Sequence, residues 1–229
     1  MNDYLKPYLN LIPFIAKVLG PHHEVVLNEI GELNQVVAIE NGYISGRKVG
    51  SPLTSKALEI IQQRLYEDKD WMENYLGLSA NNRPVRCSTY FIKDDNGELV
   101  GLLCINFDDA QYRNLINQIL HLCHPKEFVE KNAKVSYAPA LVLSPSEPKG
   151  GEERFGRTTN DVVTEIIDLM LASSTVPVSR MTQDEKMEIV DKLNNRGIFL
   201  IKGSVSLVAD ALSCSEPTIY RYLSKLNKQ

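Results

Sequence analysis

Between Ser213 and Leu226 the sequence Ser-Cys-Ser-Glu-Pro-Thr-Ile-Tyr-Arg-Tyr-Leu-Ser-Lys-Leu sets cationic and hydrogen-bonding side chains at helical spacing. Ser215 is a ready N-cap, and Pro217 is tolerated in a first helical turn. Ile219, Tyr222, Leu223 and Leu226 fall on one face of the helix that follows, leaving Glu216, Pro217, Thr218, Tyr220, Arg221, Ser224 and Lys225 on the other. Upstream, Val205, Val208, Ala209 and Leu212 form the stripe of a preceding helix, and small Ala209 suits a close crossing. Two helices at a steep angle across a three-residue turn make a helix-turn-helix, whose second helix can enter a DNA major groove. In that reading Thr218, Tyr220 and Arg221 reach base edges or phosphates, Lys225 and Lys228 touch the backbone, and Ser215 and Ser224 belong to the same surface. The competing reading is a plain helical hairpin, because A-x-x-L spacing alone is common. Ser213 stands where such a turn usually carries glycine, which costs little if its backbone stays near helical values. Glu216 suits the helix dipole or a cytosine amine better than a phosphate.

A second set lies in NGYISGRKVGSPLT, residues 41–54. Gly42, Gly46 and Gly50 permit tight backbone approach, and Asn41, Ser45 and Arg47 offer polar groups suited to a carboxylate. Arg86 is a candidate second cation. The alternative is a structural loop whose Arg47 pairs with a local acid. The run Gly-Arg-Lys-Val-Gly-Ser is one residue short of a phosphate loop and lacks its ending, which excludes nucleotide binding there. His121, Cys123 and His124 share a helix end, but no second cluster completes a tetrahedron unless His22 and His23 approach; helix-end histidines near the C-terminal dipole explain them, and no metal is expected. No G-x-S-x-G, H-E-x-x-H or kinase-type pattern occurs, so the sequence nominates no catalytic residue, no cofactor and no enzyme activity.

These residues need elements to position them. Leu5, Tyr8, Leu9, Ile12, Ile15 and Leu19 describe an amphipathic helix near Pro7 and Pro13; two β-rich runs follow at 24–29 and 35–39, then a short helix through Leu53, Leu58, Ile61 and Leu65. Residues 86–93 and 98–106 flank Asp94-Asp95-Asn96-Gly97, a strong hairpin signal. A helix at 109–123, with Leu115, Ile116, Ile119 and Leu120 as its stripe, closes the domain. The result is an α+β fold: a small antiparallel sheet with helices packed on it. Prolines, glycines and polar residues over 138–157 mark a linker. Beyond it, Val162, Val163, Ile166, Ile167, Leu169 and Met170 make a wide helical stripe at 159–173 that needs a partner, either the N-terminal α+β domain or the same helix of a second subunit. Thr182 and Glu185 form a capping box, and Gly197 is placed to end that helix.

The whole chain of 229 residues carries a net charge of −4, which taken alone disfavours nucleic acid. That average hides a split. Residues 180–229 hold eight Lys/Arg against six acids, a net +2, so the first 179 residues carry −6. Four scattered cysteines without a C-x-x-C pair read as small apolar residues in a reducing compartment, and no stretch is long and apolar enough for a membrane span. The expectation is a cytoplasmic protein with no membrane partner.

The segments NGYISGRKVGSPLT (41–54), RCSTYFIKDDNGELVGLLCIN (86–106) and RGIFLIKGSVSLVADALSCSEPTIYRYL (196–223) resemble the transcriptional regulators that join a YheO-like PAS domain to a C-terminal helix-turn-helix. The resemblance spans nearly the whole chain. It implies a PAS-like sensor over 1–137, a linker over 138–178 containing the helix 159–173, and an all-α helix-turn-helix domain over 179–229. It also implies a ligand-responsive, DNA-binding transcriptional regulator that works as a homodimer on an unknown small-molecule effector. Tyr43 stands where the family leads one to expect histidine. Two other functions compete: a site-specific DNA recombinase, which needs a catalytic serine and arginine cluster in the N-terminal domain, and a small-molecule-binding module without DNA binding.

Overall fold

The computed structural model describes residues 2–31, 33–79, 83–131, 153–154, 158–174 and 176–226. Its elements are α1 (Lys6–Leu9), α2 (Leu11–Leu19), β1 (His23–Glu29), β2 (Gln35–Glu40), α3 (Ser55–Gln62), β3 (Trp71–Leu78), β4 (Pro84–Lys93), β5 (Leu99–Phe107), α4 (Ala110–Cys123), α5 (Lys126–Lys131), β6 (Glu153–Arg154), α6 (Thr159–Ala172), α7 (Gln183–Asn195), α8 (Ser204–Ala211) and α9 (Glu216–Leu226). Five strands pair antiparallel in the order β2-β1-β5-β4-β3, and β6 adds two parallel residues beside β3. Most of the 138–157 stretch read as a linker, and Lys228, lie outside the described residues.

The β4–β5 hairpin forms where Asn96-Gly97 predicts it. Asp94 Oδ1 accepts from the backbone of Asn96 and Glu98, and Gly97 sits at φ +83°, the left-handed backbone that such a turn requires. The sequence reading misses β3. Its alternation breaks at a bulge between Met72 and Tyr75, where Asn74 takes φ +55°, so period two is visible only in short pieces.

Each face of the sheet has its own cover. On the outer face the 3-10 turn Asp3–Leu5 and α2 bury Leu5, Ile12 and Ala16 against Val25, Leu27 and Ile92. On the inner face the 41–54 loop and α3 bury Leu53, Ala57, Leu58 and Ile60 near Val26, Phe91 and Leu102. With both faces taken, α4 has no sheet surface left to close. None of its residues is buried, and Leu115, Ile116 and Ile119 are 54%, 47% and 52% exposed, contrary to the expectation that this stripe seals the domain. Its first turn is held by Tyr112, whose ring lies 5.7 Å from Phe107, and by Arg113, which donates to the Pro84 carbonyl and pairs with Asp109 at 2.9 Å.

The stripe on α6 has a partner that the sequence reading did not consider. Val162, Val163, Ile166 and Ile167 are buried, and α6 packs on α7 and α8. It starts at a capping box in which the Thr158 amide donates to Asp161 Oδ2 at 2.9 Å and the Asp161 amide to Thr158 Oγ1 at 3.1 Å.

Candidate nucleic-acid interface and sensor cluster

In the C-terminal helices the apolar residues fix the frame and the polar ones are left outside it. Thr182 and Glu185 cap α7 reciprocally, which holds the Glu185 carboxyl below its ordinary range. Gly197 ends that helix at φ +72°. The Lys186 ammonium donates to the Leu212 carbonyl at 2.7 Å, placing a cation at the negative end of α8. The turn after α8 is a Schellman motif: the Cys214 amide donates to Ala209, the Ser213 amide to Asp210, and Ser213 takes φ +49°. Ser213 therefore leaves helical values, and the expectation of a nearly free serine here is corrected. A β-carbon in the left-handed region costs about 1 kcal/mol.

Across the turn, the Ser215 carbonyl accepts from Thr218 and Ile219, and the Ser215 and Thr218 hydroxyls lie 2.9 Å apart. Ile219 and Tyr222 are buried against α8 and α7. Ser215, Arg221, Ser224 and Lys225 are exposed, Tyr220 is 57% exposed, and Thr218 is half-buried. The Arg221 guanidinium lies 5.9 Å from the centre of the Tyr222 ring, a contact that steadies a long side chain. One helix face thus presents two hydroxyl groups, a phenol, a guanidinium and an ammonium to solvent, on a scaffold fixed from behind.

The polar cluster of the N-terminal domain is built the opposite way. Pairing places Glu24 beside Asn106, Val26 beside Cys104, and Asn28 beside Leu102, while Cys87 and Thr89 on β4 continue those rows. All of these face the inner side. Glu24 is fully buried, and its carboxylate accepts from the Ser45 hydroxyl at 2.5 Å, the Ser45 amide at 3.2 Å and Asn106 Nδ2 at 2.8 Å. Burial pushes that carboxyl up, against the hydrogen bonds and the nearby Arg47 charge that pull it down. Arg47, also buried, donates to Asn28 Oδ1 at 3.1 Å and to the Pro52 carbonyl at 2.7 Å. The network continues from Asn28 through Cys104 and Thr89 to the Tyr75 hydroxyl. Arg47 Nε and Asn106 Oδ1 remain buried without a hydrogen-bond partner.

Of the four residues nominated as ligand contacts, Ser45 and Arg47 meet in this cluster. Asn41 does not join them: its amide donates to the His23 carbonyl at 2.7 Å, anchoring the loop to β1. Arg86 lies on the other face of the sheet, 5.2 Å from the Phe107 ring and bonded to Asn74, so Arg47 and Arg86 cannot clamp one carboxylate. Gly42 is fixed by the loop's own path, since a β-carbon there would lie 2.5 Å from the Arg47 carbonyl. Tyr43 is exposed and its hydroxyl donates to the Pro21 carbonyl. Sequence reading missed Glu24, Asn28 and Asn106. A signal existed: within HEVVLNE, Glu24 and Asn28 share strand parity with Val26, so two polar residues fall on the face that this apolar stretch turns inward.

Among the described residues no three His, Cys, Asp or Glu side chains gather as a metal site, and no helix is long and apolar enough to cross a membrane. Residues 1–124 match the family described as the YheO-like PAS domain, and residues 162–224 match an HTH domain. The Escherichia coli protein YheO is 26% identical over 223 residues, covering 96% of this chain and 84% of that protein. A Haemophilus influenzae protein is 24% identical over 228 residues, covering 98% and 92%. The Pseudomonas aeruginosa transcriptional regulator DauR is 24% identical over 226 residues, covering 98% and 95%.

Proposed function

This chain belongs to the YheO-like PAS domain family, with a helix-turn-helix domain behind the sensor, and from that premise we propose a ligand-responsive transcriptional regulator that reads DNA through α9. The observation that carries the reading is the exposed set Ser215, Tyr220, Arg221, Ser224 and Lys225 on a helix whose Ile219 and Tyr222 are locked from behind. The transcriptional role named for DauR supports it. Thr218, Tyr220 and Arg221 contact base edges or phosphates near the start of the helix, and Ser224 and Lys225 contact the backbone. Selection of bound fragments from genomic DNA by the purified full chain tests this. A palindromic enriched site is the expected result, and a flat profile overturns the reading.

A +2 tail binds DNA weakly as one copy, whereas two copies double the phosphate contacts on half-sites about 34 Å apart. The apolar face of α4 is where a second copy fits, because Leu115, Ile116 and Ile119 stand in water on a helix with no buried residue. Sedimentation of the Leu115→Glu, Ile119→Glu double variant should report a monomer where the parent chain is a dimer. A dimer that survives both charges puts the interface elsewhere.

The effector site in this reading is the inner polar layer, with Ser45 and Arg47 as contacts and the unpartnered Arg47 Nε and Asn106 Oδ1 as free positions. Carboxylate-bearing and amide-bearing small molecules are the matching chemistry. Protection of the sensor against thermal unfolding by such compounds, lost in Arg47→Lys, tests it.

A further inference from the structure

Sensor and DNA-binding helices meet along α3, and the meeting leaves a cavity. Gly197 comes so close to α3 that a β-carbon there would lie 2.7 Å from the Leu58 carbonyl. Gln63 donates across the same seam to the Asn195 carbonyl at 3.4 Å. Beside this contact is a cleft of about 540 Å³, within the range of small-molecule sites. Leu53, Leu58 and Ile61 wall it on the sensor side, and Leu200 and Lys202 on the other. Its mouth is apolar: Leu33 is 48% and Leu200 46% exposed, so both leave surface in water that a ligand would cover. Among the described residues that line it, Lys202 is the one with a formal charge. Asn34 also lines the cleft; its Oδ1 is taken by the Gly31 amide, which leaves the amide nitrogen as the donor of that side chain.

We propose that this cleft is a small-molecule site distinct from the inner polar layer, and that it takes an apolar body carrying one carboxylate. The apolar walls accept the body and Lys202 receives the anion. The site also couples to the DNA-binding helices by position. Lys202 lies immediately before α8, with only Gly203, at φ +88°, between it and the first residue of the helix, and Leu200 stands two residues further back. A ligand that spans the seam favours one placement of α8 and α9 over others. This second half rests on the ligand-responsive reading above; the existence of the site does not.

The test is methyl NMR on the full chain labelled at Ile and Leu, titrated with decanoate below its micelle concentration. Expected are saturable shifts at the methyls of Leu33, Leu53, Ile61 and Leu200, with decanol binding about tenfold more weakly. Lys202→Gln should erase that difference, and Leu200→Glu, at an exposed position, should abolish the shifts. No saturable shift at these methyls, or shifts confined to the leucines of α4, overturns the site. Equal binding of decanol and decanoate overturns the assignment of an anion. Shifts that reach Leu212, outside the cleft, support coupling, and shifts that stop at its walls overturn it. None of these readouts uses DNA, so failure of the DNA reading remains separately visible.

Discussion

In α9 the polar side chains face water and the apolar ones lock the helix down; in the sensor cluster the polar side chains are themselves what is locked. Arg221 and Lys225 can be lost without unfolding anything, because Ile219 and Tyr222 hold the helix. Arg47 and Glu24 hold the 41–54 loop to β1 and β5, and each satisfies atoms that cannot reach solvent. Function on the first surface is separable from stability. In the second region the same side chains are part of the stability itself, because Glu24 and Arg47 already commit their bonds to the fold.

Substitutions can break that comparison, and the largest effect belongs to Arg47→Met. It strips the donor from Asn28 Oδ1 and the Pro52 carbonyl and leaves buried Glu24 without its nearby cation. The expected loss is about 3–5 kcal/mol in urea unfolding. A loss below about 1 kcal/mol would mean that the cluster is loosely satisfied and behaves as an open cradle. Next comes Arg221→Ala, with an expected cost of about 1–3 kcal/mol in operator affinity and an unchanged unfolding midpoint. Unchanged affinity by fluorescence anisotropy removes α9 as the reader.

The same contrast explains what could be read from the chain alone. The helix-turn-helix is local: Ala209, Leu212, Ile219 and Tyr222 fall within fourteen residues, so helical spacing exposes both faces. The β4–β5 hairpin is equally local. The sensor cluster joins Glu24, Ser45, Arg47 and Asn106, and only sheet register brings the first and last together. Arg86 misled because its distance along the chain says nothing about which face of β4 it takes. The stripe of α6 was visible but its partner was not, since periodicity shows that a face is apolar and leaves open what covers it.

A smaller, pH-dependent effect isolates Glu24. Burial raises its carboxyl in the folded protein, while in the unfolded chain it titrates near the ordinary 4.5. The folded state therefore takes up the proton first as pH falls. Stability contributed by this group rises as pH drops through the raised value, and the cost of the buried charge is fully present above it. Subtracting the stability–pH curve of Glu24→Gln from that of the parent chain should show this slope in the weakly acidic range. A flat difference curve means that the charge of Arg47 fully compensates the desolvation.

The smallest effect sharpens the other side. Ser213 holds φ +49° in the turn between α8 and α9, with its own amide and that of Cys214 closing the Schellman bonds. Glycine at that backbone has no β-carbon to strain, although it adds freedom to the unfolded chain. Relief of strain exceeds the added entropy in the left-handed region, so Ser213→Gly should stabilise by about 0.5–1 kcal/mol. Because the substitution leaves every outward side chain of α9 in place, operator affinity should not change. A stabilised variant with weakened DNA binding would show that the turn sets the angle at which α9 meets DNA. Separability in this half of the molecule would then stop at the turn.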